Sequence, residues 1–134
     1  MTDSEFAPMA ELFTDILATE PELPALVQDG QATTFAQWWS ASSLTASALA
    51  ESGVGPGTVV GLLLPSGQEF ATAYLALARL GAVACGINPR LGPSEVAHII
   101  RRAEPVVVIT DTPERLPADL PCFVRTPVDL RSPS

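Results

Sequence analysis

Three loops that follow apolar segments carry the side chains best suited to bind a ligand. These loops are Pro65-Ser66-Gly67, Asn88-Pro89-Arg90 and Thr110-Asp111. If the preceding segments are parallel strands, the loops meet at the carboxyl edge of one sheet, where ligands gather. Two of them lead into predicted helix N-termini, which favour anions, and the Arg90 guanidinium suits phosphate or carboxylate. From the residues alone, however, ordinary turns with ordinary helix caps explain the same segments better.

Residue types elsewhere restrict the chemistry of the chain. All seven basic residues are arginine, so there is no P-loop lysine, no Schiff-base lysine and no adenylation lysine. The single histidine, His98, cannot anchor a metal site by itself and is expected on the surface of a helix. Cys85 and Cys122 share no motif spacing and are predicted to be reduced core thiols. We therefore assign no catalytic residue and no metal ligand.

Charge and hydropathy exclude two classes of partner. The formal net charge is −8, whereas nucleic acids and anionic membranes require clustered cations. Residues 1–5 are acidic where a targeting peptide would be basic. The most apolar stretch, residues 70–87, is interrupted by Arg79 and Gly81 and is not expected to span a membrane. These observations predict a cytoplasmic protein that binds neither nucleic acid nor membrane.

The apolar pattern predicts the elements that position the loops. Three continuous apolar runs, typical of strands buried on both faces, occur at residues 59–64, 83–87 and 106–110. Helical patterns separate the runs, one ending at Leu80 before Gly81 and one from Pro93 to about Ala103. Strands that alternate with helices in this way predict a parallel sheet with right-handed crossovers. The predicted fold class is α/β, with three layers and a parallel β-sheet flanked by helices.

The first part of the chain precedes this sheet. Apolar residues at helical spacing predict a helix over residues 6–17, and Asp29-Gly30 predicts the turn of a small β-hairpin. Trp38 and Trp39 lie on the next helix. One of them is expected in the core and the other at least partly exposed or in an interface.

Capping signals mark the ends of the helices. Thr34 with Gln37, and Ser66 with Glu69, are capping boxes that open two helices. The glycine-rich run at residues 53–57 ends the first of them. It is predicted to be a turn into a strand and not a dinucleotide fingerprint, because that fingerprint follows a strand and opens a helix.

The composition changes after Asp111. Residues 1–111 are predicted to form the α/β segment, and residues 112–134 are a proline-rich tail or the start of the next strand. A short strand candidate lies at residues 122–124. The last residues, Arg131-Ser132-Pro133-Ser134, have the composition of a linker.

Five short motifs in the middle of the chain resemble one protein family. They are Thr34-Phe35-Ala36-Gln37-Trp38, Gly53-Val54-Gly55-Pro56-Gly57-Thr58-Val59-Val60, Leu64-Pro65-Ser66-Gly67-Gln68-Glu69-Phe70, Leu77-Ala78-Arg79-Leu80-Gly81-Ala82-Val83 and Ile87-Asn88-Pro89-Arg90-Leu91. In this order they resemble conserved segments of the AMP-binding, adenylate-forming ligase superfamily. Asn88-Pro89 is similar to acyl- or aryl-CoA synthetases and fatty-acid ligases, since peptide-synthetase domains more often have aspartate-proline there. The chain is thus similar to the N-terminal segment of an acyl-CoA synthetase.

The resemblance implies a two-step reaction in fatty acid or secondary metabolism. A carboxylic acid and ATP form an acyl-adenylate, and the CoA thiol then displaces AMP, so the complete enzyme requires ATP, Mg and CoA. The family's phosphate loop with its lysine, its aromatic-Thr-Glu segment, its ribose-binding aspartate and its C-terminal lysine are all missing here. The segment is therefore expected neither to adenylate nor to bind these cofactors alone.

The resemblance also implies which residues could contact CoA. In acetyl-CoA-type relatives, the loop after the second core-motif strand and an arginine after the next strand approach the CoA nucleotide. The matching positions here are Asn88, Pro89, Arg90 and Arg115.

Three hypotheses remain open at this stage. The chain is part of an acyl-CoA synthetase, it is a free-standing flavodoxin-like module that binds a nucleotide, CoA or a partner without catalysis, or it is a structural or regulatory remnant that pairs with a homologue. Under the first, a three-stranded sheet has an open edge and an uncovered apolar face. The expected partner is then the remainder of the ligase or a second copy of the chain.

Overall fold

Residues 7–131 of the protein are described by a computed structural model, with side-chain surroundings from residue 13 onward. The first helix, α1, spans Ala7–Thr19. Residues 1–6, which include the predicted helix start and the acidic residues 1–5, and the linker-like residues 132–134 lie outside the described residues, as do the side chains of Met9 and Leu12 on the predicted apolar face.

A β-hairpin follows α1. Its strands are β1, Pro24–Gln28, and β2, Gln31–Thr34, which pair antiparallel. Asp29 and Gly30 have φ angles of 53° and 77°, the left-handed conformations that a type I′ turn requires at both central positions. The predicted hairpin is confirmed.

Helix α2, Phe35–Glu51, begins with the predicted capping box. Thr34 Oγ1 accepts a hydrogen bond from the Gln37 N–H at 3.1 Å, and Gln37 Oε1 accepts one from the Thr34 N–H at 2.9 Å. The helix ends before Gly53, whose φ of 93° lies in the left-handed region. Strand β3, Val59–Leu63, follows the glycine-rich run, so this run is a turn into a strand as predicted.

A parallel sheet forms the centre of the molecule. Its further strands are β4, Val83–Gly86, β5, Val107–Thr110, and β6, Phe123–Arg125. The spatial order is β4-β3-β5-β6, and every neighbouring pair is parallel. Helix α3, Gln68–Leu80, joins β3 to β4, and α4, Pro93–Ala103, joins β4 to β5. The predicted α/β class is confirmed.

The fourth strand extends the three-stranded sheet that the sequence predicts. It begins one residue after the start of the candidate at residues 122–124, and a 3₁₀ turn at Pro113–Arg115 precedes it. Helix α5, Pro127–Arg131, follows β6. The division of the chain at Asp111 stays a prediction.

One face of the sheet is covered by α2, α3 and α5, and we call it the α2–α3 face. Val60 and Leu62 point to this side and pack with Leu49 of α2, Leu77 of α3 and Leu130 of α5. All five side chains are almost completely buried. This face therefore contains a continuous apolar core that links the middle of the chain to its last described helix.

The opposite face is covered by α4 and the segment before β6, and we call it the α4 face. Leu63 lies next to Leu62 and points to this side, since successive strand residues alternate. It packs in a smaller cluster with Val96 and Ile100 of α4 and Val108 of β5. Helices on both faces give the predicted three layers.

The expectation of an uncovered apolar face is wrong for the centre of the sheet, because helices bury both sides of β5. Within residues 7–131, exposed apolar surface on the sheet lies on the edge strands, where Val83 of β4 is 50% exposed and Phe123 of β6 is 55% exposed. Within the same residues, no helix is both long and apolar enough to cross a membrane.

The predicted capping box of Ser66 and Glu69 is wrong. Helix α3 begins one residue later than this box requires, with Gly67 as its N-cap and no cap from a neighbouring side chain. The Gln68 N–H instead donates to Gln28 Oε1 of the hairpin at 2.6 Å. A Cβ at Gly67 would lie 2.9 Å from the same oxygen, so glycine leaves room for the Gln28 side chain at the helix start.

Candidate functional site

The three predicted ligand-binding loops lie at the carboxyl edge of the sheet, because each follows a parallel strand. Pro65-Ser66-Gly67 follows β3, and its residues are exposed. The chain order of the strands across the sheet changes direction between β3 and β5, which makes their carboxyl ends a topological switch point. This geometry is the one in which open parallel sheets bind ligands.

The loop after β4 is held by its own hydrogen bonds. Asn88 Oδ1 accepts from the Arg90 N–H at 2.9 Å, and the Asn88 carbonyl accepts from the Leu91 N–H at 3.1 Å. Asn88 and Arg90 are exposed, whereas Pro89 is half-buried. The Arg90 side chain therefore extends from a loop whose backbone is fixed.

Arg115 lies beside the same loop, although many residues separate the two in sequence. Its Nη2 donates to the Leu91 carbonyl at 2.9 Å, and its side chain is half-buried. The structure thus brings Asn88, Pro89, Arg90 and Arg115 together, with Arg115 holding the loop. Whether these residues bind CoA stays a prediction.

Both helices that open at this edge have polar groups at their N-termini already. The first N–H of α3 donates to Gln28. At α4, Glu95 Oε1 accepts from the Gly92 N–H at 3.2 Å, which places a carboxylate at the positive end of the helix dipole. The buried Thr110 hydroxyl accepts from the Thr112 N–H at 3.1 Å. These contacts are those of ordinary helix starts.

Contacts of the Arg79 side chain join α3 to α2, and we call them the Arg79 clamp. They were not predicted from the sequence. The Arg79 guanidinium lies 3.7 Å from the centre of the Trp39 ring, and its Nη1 donates to Ser42 Oγ at 2.9 Å and Ser43 Oγ at 2.6 Å. Burial lowers the pKa of Arg79, which nevertheless remains charged at neutral pH. In the sequence, Arg79 interrupts an apolar run and lies in one of the five motifs, and neither feature predicts its contacts with α2.

The two tryptophans do not divide into one core and one exposed residue, so that expectation is wrong. Both are half-buried, because Trp38, Trp39 and Phe35 surround the ring of Phe13 from α1. Trp38 Nε1 is buried and has no hydrogen-bond partner among the described residues.

The remaining candidate residues lie on the α4 side of the sheet. His98 is exposed on α4, as predicted. Cys85 and Cys122 are free, half-buried thiols packed against the α4-face cluster. Burial raises the pKa of Cys122, which disfavours its reactive thiolate. Within residues 7–131, no group of three or more His, Cys, Asp or Glu residues could hold a metal ion.

Two cavities open at opposite ends of the strands. The larger, of about 730 Å³, lies at the amino end, between the end of α4 and the start of β6. The smaller, of about 310 Å³, lies on the α2–α3 face near the carboxyl end, under α5, and we call it the α5 cavity. Sequence patterns did not reveal the α5 cavity, because it is enclosed by the hairpin, two helices and α5.

The comparisons with known proteins agree on one family. A family model described as AMP-binding enzyme matches residues 13–130. Protein Y of Streptomyces griseus is 35% identical over 101 residues, which cover 75% of this chain and 33% of that protein. 4-Coumarate–CoA ligase 3 of Oryza sativa subsp. japonica is 40% identical over 90 residues, covering 66% of this chain and 16% of that protein.

Solved structures share the fold. The o-succinylbenzoate CoA synthetase of Bacillus subtilis, in complex with the acyl-adenylate intermediate OSB-AMP, superposes with a TM-score of 0.82 at 23% identity. The match covers 91% of this chain and 25% of that one. The chain thus spans a third or less of each of these proteins.

Proposed function

Because the chain belongs to the AMP-binding enzyme family, we propose that it is the N-terminal part of an acyl-CoA synthetase, a ligase that joins a carboxylic acid to CoA through an acyl-adenylate. The observation that carries the proposal is the continuous family match over residues 13–130. The 40% identity to a 4-coumarate–CoA ligase and the Asn88-Pro89 pair after β4 favour transfer to CoA.

The segment does not adenylate by itself under this proposal. It has no lysine to bind the phosphates of ATP. In ATP sites Mg²⁺ is held by one or two carboxylates together with the phosphates of the nucleotide, so its binding depends on that of ATP. ATP, Mg and the carboxylic acid therefore belong to the complete enzyme.

The proposed contribution to the reaction is to CoA binding. Arg90 is exposed on a fixed loop, where a guanidinium can pair with a phosphate of the CoA nucleotide. Arg115 is a positioning residue, since its guanidinium already donates to the Leu91 carbonyl. Asn88 fixes the turn through its side-chain oxygen, and Pro89 restricts the backbone beside it.

The proposed partner is the remainder of the ligase. Edge strand β4 has the sequence Val83-Ala84-Cys85-Gly86, which contains neither a charge nor a proline to prevent pairing with another strand. β6 has Arg125 within it and Pro127 shortly after it, so it is the better protected edge. We expect association, with the remainder or with a second copy, to use the β4 edge in a cytoplasmic enzyme that binds neither nucleic acid nor membrane.

An activity assay tests the proposal that the segment alone cannot form an acyl-adenylate. The 134-residue chain is incubated with ATP, Mg²⁺, CoA and a panel of aromatic and fatty acids. We expect no acid-dependent release of pyrophosphate. Formation of any acyl-adenylate by the chain alone would contradict the proposal.

A chimera tests the positive part of the proposal. This chain replaces the matched segment of the rice 4-coumarate–CoA ligase 3. The resulting chimera should have ligase activity. Arg90→Ala should then raise the KM for CoA several-fold without slowing acid-dependent ATP–pyrophosphate exchange. Arg102→Ala, at an exposed position on α4, is the matched control. Unchanged CoA kinetics in Arg90→Ala would remove the assignment of Arg90.

The alternative function is a flavodoxin-like binding module. The strand order β4-β3-β5-β6 supports it, because it matches the beginning of the flavodoxin-like order 2-1-3-4-5. Calorimetry with CoA, AMP and FMN discriminates the two functions. Tight binding of a nucleotide by the isolated chain would favour the module over the ligase segment.

A further inference from the structure

We propose that the α5 cavity binds a small neutral molecule that carries an amide or lactam group on an apolar ring. The cavity lies on the α2–α3 face between α2, α3 and α5, and it contains none of the residues assigned to CoA. The proposal therefore stands apart from the ligase function and goes beyond it.

A threonine hydroxyl at the cavity wall is the first observation. Thr45 of α2 is 5% exposed and lines the cavity. Because Thr45 lines the cavity, its hydroxyl is a polar group that a ligand can reach. A hydroxyl both donates and accepts, so it can bind either side of an amide group.

A carboxamide supplies a second polar group. Gln28 lines the cavity, and its Oε1 is used by the Gln68 N–H at 2.6 Å. The Nε2 of Gln28 remains as a donor for a ligand carbonyl. Thr72 of α3 also lines the cavity and adds another hydroxyl.

Charge selects a neutral ligand. The charged groups that line the cavity are Glu69 and Arg131, and they neutralise each other in an ion pair of 3.0 Å between Oε2 and Nη1. Both side chains are about half exposed, at 46% and 52%. The pair leaves little net charge to attract an ionic ligand, whereas a neutral ligand needs no charged partner.

Size and the remaining walls limit the ligand further. Ala41, Ala73, Ile109 and Leu130 form an apolar side of the cavity. Its volume is about 310 Å³. Since a water molecule takes about 30 Å³ of the liquid, there is room for a ligand of roughly ten non-hydrogen atoms. A single ring with an amide group meets both conditions.

The experiment compares benzamide with benzoate, which has the same shape but carries a charge. The full chain, labelled with ¹⁵N, is titrated with each compound and followed by two-dimensional NMR. We expect benzamide to shift the amide signals of α2, α3 and α5 with a dissociation constant of about a millimolar, as for small ligands in general. Benzoate should bind at least several-fold more weakly. Equal or tighter binding of benzoate, or no saturable shift with benzamide, would overturn the proposal.

Two variants locate the site. Thr45→Val removes the hydroxyl and should weaken benzamide binding about fivefold to tenfold, the effect of one hydrogen bond, whereas Thr45→Ser should retain it. Ala41→Leu should fill the cavity and abolish binding, and Ala50→Leu, at an exposed position on the same helix, is its control. Unchanged benzamide affinity in both Thr45→Val and Ala41→Leu would refute the assignment.

Discussion

The two faces of the parallel sheet are built from the same central strands but are stabilised differently. On the α2–α3 face, three helices enclose a broad core and the Arg79 clamp joins two of them. On the α4 face, one helix and an irregular segment cover a smaller cluster. Apolar burial thus dominates both faces, whereas a set of polar contacts between two helices is a feature of the first.

The difference follows from the connections. α2 and α3 are long helices that pack on each other as well as on the sheet, so Leu49 of α2 and Leu77 of α3 are completely or almost completely buried. α4 packs beside the segment of residues 116–122, which contributes Leu116, Leu120 and Cys122 to the cluster. An irregular segment can relax around a lost side chain more easily than two packed helices can.

Adjacent leucines of β3 provide the most direct test of this difference. Leu62 and Leu63 are both fully buried but point to opposite faces. Leu62→Ala should lower the free energy of unfolding by about 4 kcal/mol, and Leu63→Ala by only about 2.5 kcal/mol, because the α4 face collapses into the cavity better. Urea denaturation measures both. A larger loss for Leu63→Ala would show that the α4 face, and not the α2–α3 face, is the more rigid of the two.

The arginines of the two faces give the next test. Arg79→Ala removes the stacking on Trp39 and hydrogen bonds to two serines, and should cost about 1–2 kcal/mol given the exposure of the side chain. Arg101 of α4 makes a 3.7 Å ion pair with Asp119 on the surface, so Arg101→Ala should cost about 0.5 kcal/mol or less. Arg79→Lys should not restore stability, since an ammonium lacks the planar fork. Equal losses for Arg79→Ala and Arg101→Ala would show that the clamp is unimportant.

Helix caps extend the comparison to the ends of the helices. Thr34→Ala removes the reciprocal cap of α2 and should cost about 1 kcal/mol. Ser66→Ala should change stability by less than about 0.5 kcal/mol, because Ser66 caps no helix. Thermal unfolding of the two variants distinguishes them. A loss in Ser66→Ala as large as that in Thr34→Ala would restore the rejected capping box.

The same two positions show how far the sequence predicts this fold. Strands, helices and the capping box at Thr34 follow from local periodicity and spacing, which the chain carries in the residues themselves. At Ser66 the spacing is equally good, yet Gln28 of a distant hairpin occupies the first N–H of α3. A contact between distant segments decided that helix start, and no local pattern contains it.

The candidate sites follow the same rule. The loop of Asn88, Pro89 and Arg90 was predictable because strand ends of a parallel sheet converge. The contact of Arg115 with Leu91 required the path of the chain after β5, and the α5 cavity required the docking of a helix that the sequence suggested only as a tail. Local order was therefore predictable, whereas contacts between distant segments were not.

Titration of Cys122 is the smallest effect expected from the comparison. Both cysteines lie on the α4 face, and burial raises the pKa of Cys122 above its ordinary value of 9.0. A raised folded-state pKa contributes stability that is fully present below the unfolded pKa and is lost as pH rises through the folded pKa. Urea unfolding between about pH 7 and pH 10 should therefore show a slightly steeper loss of stability in the wild type than in Cys122→Ala, with the difference appearing only from about pH 8.5 upward. The same burial should make iodoacetamide react more slowly with Cys122 in the folded chain than in urea. Equal rates in the two states would mean that the α4 face leaves this thiol open to solvent. The looser packing of that face would then extend to the sheet.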